Sequence, residues 1–571
     1  MVHTTHPRVL PAATGSAFAP QAWLHRPGQP LPPVASGALA GLQFAVKDNI
    51  DVAGWPTTAA CPAFTRVPAS HATVVRRLLG DGASLVGKTN LDQFACGLNG
   101  SRSPYGAVPN AFHADYVSGG SSSGSAYVVA TGQVDFALGT DTAGSGRVPA
   151  GLNNIVGIKP SRGLISACGV VPAAQSVDCV SIFARSVGLA AQVLASALGY
   201  DAQDPYARPL PLASQPWGSS FRFGVPDTLA FFGDAQAEAA FADAVAQLQA
   251  LGGVPVRIDF SPLQQAAALL YDSALVAERY AAVRPFFDAH ADAVMEPVRG
   301  ILAQGRQYSA ADWCDAQLRL RACGQRAAAM WQAIDVLLVP TAPTHYTIAQ
   351  MQADPVALNR NLGAYTNFVN LLDYAAISVP SSIRPDGLPF GITLIAPAGA
   401  DWPLAELGQR YHHATGLPQG ALAEPLPAPL VIPGLATEPM VQVAVVGAHL
   451  SGMPLNSQLT ARGATLLACT ETAPQYRLYA LPGTVPSKPG LLRVAAAQGA
   501  RIALEVWQMP ARHYGSFVAL IPSPLGIGTL LLADGSSVQG FVCEPAALDG
   551  ALDISHHGGW RSYTASLQAA P

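Results

Sequence analysis

Two glycine-bounded serine clusters and one lysine carry the strongest chemical signal in this sequence. The first cluster reads GGSSSGSA over residues 119–126; the second, TAGSGRVPA over 142–150, follows the strand-like run VDFALGTD. Glycine admits positive φ and lets backbone approach a ligand closely, so serines set between glycines present hydroxyl and amide N–H groups in a cramped concave site. Such a site suits an anion or an oxyanion. Neither cluster fits the phosphate-binding patterns G-x-x-x-x-G-K-[ST] and G-x-G-x-x-G, or the G-x-S-x-G elbow of serine hydrolases. A flexible linker has the same Gly/Ser composition, and on composition alone that reading stays open. Lys47 ends the apolar run of GLQFAVKDNI. An ammonium on a buried element is costly unless paired or neutralised, whereas a lysine that reaches out to solvent along its stem is ordinary.

The elements that must position these residues belong to a chain of 571 residues. Single hydrophobic cores stop growing at about 250–300 residues, so at least two domains are expected. Half of the residues are hydrophobic and 12% are charged, which supplies packed cores rather than disorder. A net charge of −4, from 32 basic and 36 acidic residues, gives no electrostatic footprint for nucleic acid or an anionic membrane. Eight scattered cysteines without a C-x-x-C pair read as buried reduced thiols, and no metal or cofactor is expected. The N-terminus lacks the apolar core of a signal peptide and no run reaches membrane-spanning length, so a cytoplasmic protein is expected.

Upstream of residue 417, helical patterns such as AQAEAAFADAVAQLQALGG (235–253) alternate with β-rich runs such as IDVLLVP (334–340) and AAISVPSS (375–382), an α/β pattern. The repeated prolines of residues 418–439 predict an inter-domain linker between domains at 1–417 and 440–571. Downstream, VQVAVVGAHL, RIALEVWQMP, SFVALIPSPL, GTLLLADG and VQGFVCE predict a smaller, strand-rich α+β domain.

Taken in order, GLQFAVKDNI, GGSSSGSA and GTDTAGSGRVPAG resemble the amidase signature family. The resemblance continues through GKTNLDQFACGLNGSRSPYG, GIKPSRGLIS, SVDCVSIFARSV, LLVPTAP and GLPFGITLIAP, over residues 39–417. It implies an amidohydrolase with a mixed central sheet covered by helices. Its G-S-x-R serine lands on Ser145 as nucleophile, its cis-linked serine on Ser121 as proton relay, and its base on Lys47. The backbone N–H groups of Thr142, Ala143, Gly144 and Ser145 are expected to form the oxyanion hole. Here the motif reads A-G-S-G-R, a small-residue variant that keeps the serine and Arg147. A serine hydroxyl needs an adjacent base, and lysine serves as one only when burial lowers its pKa. Asp141 and Arg147 are expected to hold the loop in shape, Ser122 and Ser123 to hydrogen-bond within the site, and Lys88 to take no part in the chemistry.

Tyr271 and Arg279 lie eight positions apart in LYDSALVAERYAAVRP, where a helix with a local irregularity would bring phenol and guanidinium together. On spacing alone, a solvent-facing arginine is the more ordinary case. The segment resembles the substrate-recognition helix of allophanate hydrolases, which implies a short amide bearing a carboxylate. Residues 440–566 resemble the C-terminal domain that accompanies them, through VGAHLSGMPLN, YRLYALPG, PGLLRV, LEVWQMP, FVALIPSPLGIGTLLLADG, GFVCE and DISHHGGWRSY. The resemblance implies that the first domain releases ammonia from allophanate to leave N-carboxycarbamate, and that the second assists decarboxylation. Candidate residues there are His449, then His556 or His557, with Glu505 as a candidate buried carboxylate. The expected partners are a small anionic amide and, functionally, a separate urea carboxylase; a homodimer is implied by resemblance, and neither nucleic acid nor membrane is expected. Competing readings are a general amidase, the glutaminase component of an amidotransferase, and a non-catalytic binding protein on the same fold.

Overall fold

The computed structural model describes residues 19–435 and 439–568. The β-rich runs of the larger region form one eleven-stranded sheet: β1 (Trp23–His25), β2 (Gln43–Lys47), β3 (Ser84–Thr89), β4 (Phe136–Asp141), β5 (Val156–Lys159), β6 (Cys179–Ala184), β7 (Phe221–Pro226), β8 (Gly253–Ile258), β9 (Val336–Pro340), β10 (Tyr374–Ile383) and β11 (Pro389–Pro397). The spatial order is β1-β3-β2-β4-β6-β5-β10-β11-β9-β7-β8. β2 lies parallel between β3 and β4, and β7 parallel between β8 and β9. The other pairs are antiparallel, so the sheet is mixed.

Both faces of this sheet are covered. Along β9, Val336 and Leu338 pack in one apolar cluster while Leu337 and Val339 pack in another, as alternation along a strand requires. That is why these strands read as continuous apolar runs instead of alternating ones. Helices Val187–Ala197 and Asp401–Thr415 belong to the first cluster; Ser261–Asp272 and Ala310–Ala328 belong to the second. The helix Ala235–Ala250 begins at Asp234, whose carboxylate accepts the Ala237 N–H at 3.0 Å. It buries Ala237, Ala240, Phe241, Ala244 and Leu248, the three-to-four spacing of one helical face.

Two local features position the site. Because β3, β2 and β4 run in parallel, their C-terminal ends meet at one edge of the sheet, where connecting loops collect. Between helices Ser261–Asp272 and Ala277–His290, Ser273 is extended (φ −150°, ψ 178°) and its hydroxyl accepts the Leu275 N–H at 3.3 Å, so Tyr271 and Arg279 stand on either side of a break.

The chain divides into two compact units, Met1–Leu435 and Ala436–Pro571. The Pro-rich run expected as a spacer is anchored to the first unit as far as residue 435. Gln409 and Leu430 exchange side-chain and backbone hydrogen bonds at 2.7 and 3.2 Å, Ile432 enters the apolar cluster with Trp402, and a Cβ on Gly434 would stand 1.8 Å from Trp402 Nε1. Ile432 and Leu435 find an apolar surface while Leu430 and Val431 stay exposed, and the prolines keep the run out of regular structure.

The second unit contains a five-stranded sheet and a three-stranded one. The larger is formed by β12 (Met440–Val445), β13 (Thr465–Glu471), β16 (Ala503–Pro510), β17 (Leu525–Leu531) and β18 (Ser537–Cys543); the smaller by β14 (Tyr476–Ala480), β15 (Pro489–Arg493) and β19 (Leu552–Asp553). SFVALIPSPL departs from its expected strand: its first residues complete the helix Ala511–Val518, which buries Phe517 while Arg512 and Ser516 face solvent. Tyr514 packs on the same core one turn before Phe517, so the apolar face of this helix begins upstream of the run that reads as a strand.

All eight cysteines are free; Cys314 and Cys469 are exposed and Cys168 is half-buried, so the expectation of buried thiols holds for the other five. Among the described residues no helix is long and apolar enough to cross a membrane, and no cluster of His, Cys, Asp or Glu could hold a metal ion.

Candidate active site

Lys47, the last residue of β2, has no solvent exposure. Its Nζ donates to Ser121 Oγ at 2.7 Å and to Thr140 Oγ1, near the end of β4, at 2.8 Å. Ser121 Oγ donates in turn to Ser145 Oγ at 2.9 Å. Ser145 is 2% exposed and also lies 3.4 Å from the carbonyl of Gly97. The Gly120–Ser121 peptide is cis. Burial brings the Lys47 amine down to about 7, against the opposing fields of Asp92, Asp178 and Asp141. Near neutral pH the chain from Ser145 to Lys47 therefore holds a lysine able to accept a proton.

The loop around Ser145 is held by a buried ion pair. Arg147 donates bidentately to Asp141, Nε to Oδ2 and Nη2 to Oδ1, both at 2.9 Å, and reaches the Thr366 carbonyl and Asn370 Oδ1. Burial alone would raise the Asp141 carboxyl, but the Arg147 guanidinium holds it below its ordinary range. Asp141 also accepts the N–H groups of Gly144 and Gly146 at 2.9 Å each. This corrects one expectation: the Gly144 N–H is committed to Asp141, leaving Thr142, Ala143 and Ser145 as the candidate oxyanion donors. Gly144 adopts φ +137°, and a Cβ there would stand 2.4 Å from Thr366 Oγ1. At Gly146 a Cβ would stand 2.4 Å from the Ser181 Cβ, which accounts for the small residue in A-G-S-G-R.

The neighbouring serines divide. Ser122 Oγ donates to the Thr140 carbonyl at 3.2 Å and ties the helix Ser123–Ala130 to β4. Ser123 Oγ, expected to bond as well, is buried with no partner among the described residues. It faces Gly100 instead, where an added Cβ would stand 3.2 Å from it. Lys88 is wholly buried and pairs with Asp48 at 2.9 Å, also donating to Thr57 Oγ1 and the Pro56 carbonyl. It is a structural pair.

Across the break after the helix Ser261–Asp272, Arg279 Nη2 donates to Tyr271 Oη at 3.2 Å and the guanidinium lies over the phenol ring, 5.2 Å from its centroid. Arg279 is 3% exposed, yet its Nε and Nη1 have no hydrogen-bond partner among the described residues. Buried donors of a fixed charge are rarely left unmatched. A planar fork with an open side fits a carboxylate.

In the second unit, His449 lies in the loop after β12, which is closed by the Leu455 N–H on the Ala448 carbonyl and Asn456 Nδ2 on the His449 carbonyl. The imidazole stacks on Phe541 at 5.0 Å, meets Phe517 edge-on at 5.3 Å, and shares a 2.9 Å hydrogen bond with Gln458 Oε1. Burial lowers its pKa, and the nearby Lys488 acts in the same direction. Both side chains line a pocket of about 230 Å³ whose walls are otherwise largely apolar, among them Val446, Leu455, Pro489 and Ile521. His556 and His557 pack on each other in a short turn and do not line it, so the three histidines do not share one site. Glu505 is tied to Ser451, Trp507 and Arg561, a satisfied structural network.

The model of the family described as Amidase matches residues 31–404. The chain belongs to the amidase family. Residues 441–565 match a second family, the allophanate hydrolase C-terminal domain. This amidase-family chain is 43% identical over 547 residues to a urea amidolyase of Saccharomyces cerevisiae, covering 93% of the chain but 30% of that relative's length. A glutamyl-tRNA(Gln) amidotransferase component from Symbiobacterium thermophilum is 35% identical over 66% of this chain and 84% of its own length. Among solved structures, the allophanate hydrolase of Kluyveromyces lactis superposes with a TM-score of 0.73 at 41% identity, covering 93% of this chain and 89% of that one.

Three residues of the site carry no signal of their own in the sequence. Thr140, Asp178 and Lys488 lie within or beside quoted motifs, but nothing in their spacing distinguishes them from structural polar residues; only the strand register and the pocket wall do.

Proposed function

We propose that this chain hydrolyses allophanate through a Ser145–Ser121–Lys47 relay and that its second unit assists decarboxylation of the product. The observation that carries the substrate class is the buried Arg279 fork with unmatched Nε and Nη1, which calls for a ligand carboxylate in the first unit. Allophanate bears a carboxylate beside a ureido amide. The likeness to the allophanate hydrolase of K. lactis and to the C-terminal domain family supports the narrower choice.

In this reading Tyr271 and Arg279 hold the carboxylate and present the ureido carbonyl to Ser145. With Lys47 neutral the hydroxyls turn so that Ser145 donates to Ser121 and Ser121 to the amine; as Ser145 Oγ bonds to the carbonyl carbon, its proton passes to Ser121 while the Ser121 proton passes to Lys47. The N–H groups of Thr142, Ala143 and Ser145 stabilise the oxyanion, each such donor contributing about 3 kcal/mol. Collapse breaks the C–N bond, and the proton returns along the chain to the departing ammonia. Water then attacks the acyl-enzyme by the same relay and frees N-carboxycarbamate.

The second step is a C–N cleavage in which one carboxylate leaves as carbon dioxide and the nitrogen takes a proton, giving carbamate. The His449 pocket supports it: Lys488 supplies a cation for the retained carboxylate, His449 a titratable ring, and apolar walls favour loss of charge from the departing group. A cytoplasmic setting and a functional link to a separate urea carboxylase belong to the same proposal. The urea amidolyase of S. cerevisiae is matched over 30% of its length, which leaves room in it for a further activity.

The test offers the purified protein allophanate, malonamate, glutamine and simple amides while ammonia is measured. Preference for allophanate is expected; preference for glutamine or a neutral amide overturns the substrate and favours the glutaminase or general amidase readings. His449→Ala is expected to slow carbon dioxide release relative to the first ammonia, and unaltered release overturns the second step.

A further inference from the structure

Asp178 stands where two parts of the site meet. It precedes β6 by one residue, and because Asp141 pairs with Cys179 in the antiparallel β4–β6 ladder, the next position brings Thr142 against Asp178. The Thr142 hydroxyl donates to Asp178 Oδ1 at 2.5 Å, and Oδ2 accepts the Ala173 N–H at 2.8 Å. The Ala174 N–H reaches both oxygens at 3.2 Å. Thr142 opens the loop that runs through Ala143 to Ser145, so this contact fixes one end of the candidate oxyanion hole. Asp178 is also among the carboxylates whose fields favour a proton on Lys47, with Asp92 and Asp141, and it feels the Arg279 guanidinium. Asp141 is already matched by the bidentate Arg147, and Asp92, whose field on Lys47 is the largest of the three, is held by the N–H groups of Asn99, Gly100 and Arg102 against the Gly120–Ser121 segment and makes no hydrogen bond to Thr142.

We infer that Asp178 is a positioning residue for catalysis: through the Thr142 hydroxyl it sets the oxyanion loop, and its negative charge favours the Lys47 ammonium that forms when the relay takes the serine proton. The inference rests on Lys47 as the base. Burial pushes the Asp178 carboxyl up to about 6, so near neutral pH it carries the charge that this role requires. A purely structural role, as staple of the turn in which the Val177 and Asp178 N–H groups both donate to the Ala174 carbonyl, would leave the proton affinity of Lys47 out of account.

The two roles separate in the pH profile of ammonia release from an amide that the native chain turns over. Asp178→Asn keeps an oxygen for the Thr142 hydroxyl and removes the charge. Its kcat is expected to fall about tenfold, less than the loss on deleting an oxyanion donor itself, with KM within about threefold. Lys47 acts only when neutral, and without the nearby anion its neutral form persists to lower pH. The acid limb is therefore expected to move down by about half a unit. Thr142→Val keeps the charge and removes the contact, so kcat is expected to fall with the limb unmoved. Native kcat with an unmoved limb in Asp178→Asn, or native kcat in Thr142→Val, overturns the inference. Should Asp178→Asn not fold, Asp178→Ser carries the same pH readout. Near-native turnover in Lys47→Met would instead remove the base on which the inference rests, a result distinguishable from its own failure.

Discussion

Lys47 and Lys88 occupy neighbouring parallel strands, with Val46 opposite Lys88 and Lys47 opposite Thr89, and neither has solvent exposure. Burial lowers the proton affinity of both. Their company differs. Asp48 touches the Lys88 ammonium at 2.9 Å, whereas Lys47 touches the hydroxyls of Ser121 and Thr140 and its opposing carboxylates act without contact. A carboxylate in contact turns a buried lysine into a charged staple; hydroxyls in contact leave it free to lose and regain its proton. The chemistry of the two regions thus diverges through one neighbouring group, not through depth of burial.

The contrast can be broken most directly by removing each amine. Lys47→Met is expected to lower kcat for ammonia release by about 10⁴-fold, the scale of losing a base that acts as a unit with its nucleophile; turnover within tenfold of native would remove Lys47 from the chemistry. Lys88→Met should instead lose about 3–5 kcal/mol in denaturant unfolding, because Asp48 is left buried without its cation. Adding Asp48→Asn should restore part of that loss. A third buried cation extends the comparison: Arg279→Met is expected to raise KM for a carboxylate-bearing amide by about 10–100-fold while sparing neutral amides, as loss of a charge-assisted fork predicts. Equal effects on both substrate classes would argue against carboxylate recognition.

Smaller effects follow from proton linkage. In the proposed relay Lys47 acts only when neutral, and burial brings it down to about 7, so kcat/KM is expected to fall tenfold per unit below that pH. In the unfolded chain the same amine titrates near its ordinary 10.5. Between those values unfolding takes up a proton, so burial of Lys47 destabilises the fold there and stability rises with pH across that window. Lys47→Met should gain stability at neutral pH, by at most about 4 kcal/mol because it also gives up the contacts with Ser121 and Thr140, and lose that pH dependence, opposite in sign to Lys88→Met.

The outline of this site is readable in the sequence because its geometry follows from chain order and strand position. Lys47 closes a parallel strand beside β4, and the two Gly/Ser clusters flank β4, so the topology that assembles the sheet also assembles the contact of Lys47, Ser121 and Ser145. Contacts that depend on register or on the far side of a side chain are not readable. Asp178 acquires its partner from antiparallel pairing two elements away; the Gly144 N–H turns toward Asp141; Ser123 faces Gly100 and not the carbonyl that engages Ser122. In the second unit, His449 stands out by its Gly-bounded turn, but Lys488 joins it only through a hairpin, and His556 and His557 share its residue type without sharing its pocket. The helix Ala511–Val518 reads as a strand in part because Tyr514, which shares its apolar face with Phe517, lies upstream of the run SFVALIPSPL.

The close approach of Gly146, in the turn after β4, to Ser181 of β6 ties a loop position and a strand position into one volume, and the Ser181 hydroxyl is buried without a partner among the described residues. The residue after the nucleophile is therefore not an independent variable in laboratory evolution. A side chain at 146 meets the Ser181 Cβ, which every residue but glycine carries, and then the Asp141 Cβ, so a library that varies the loop alone is expected to recover only glycine at this position.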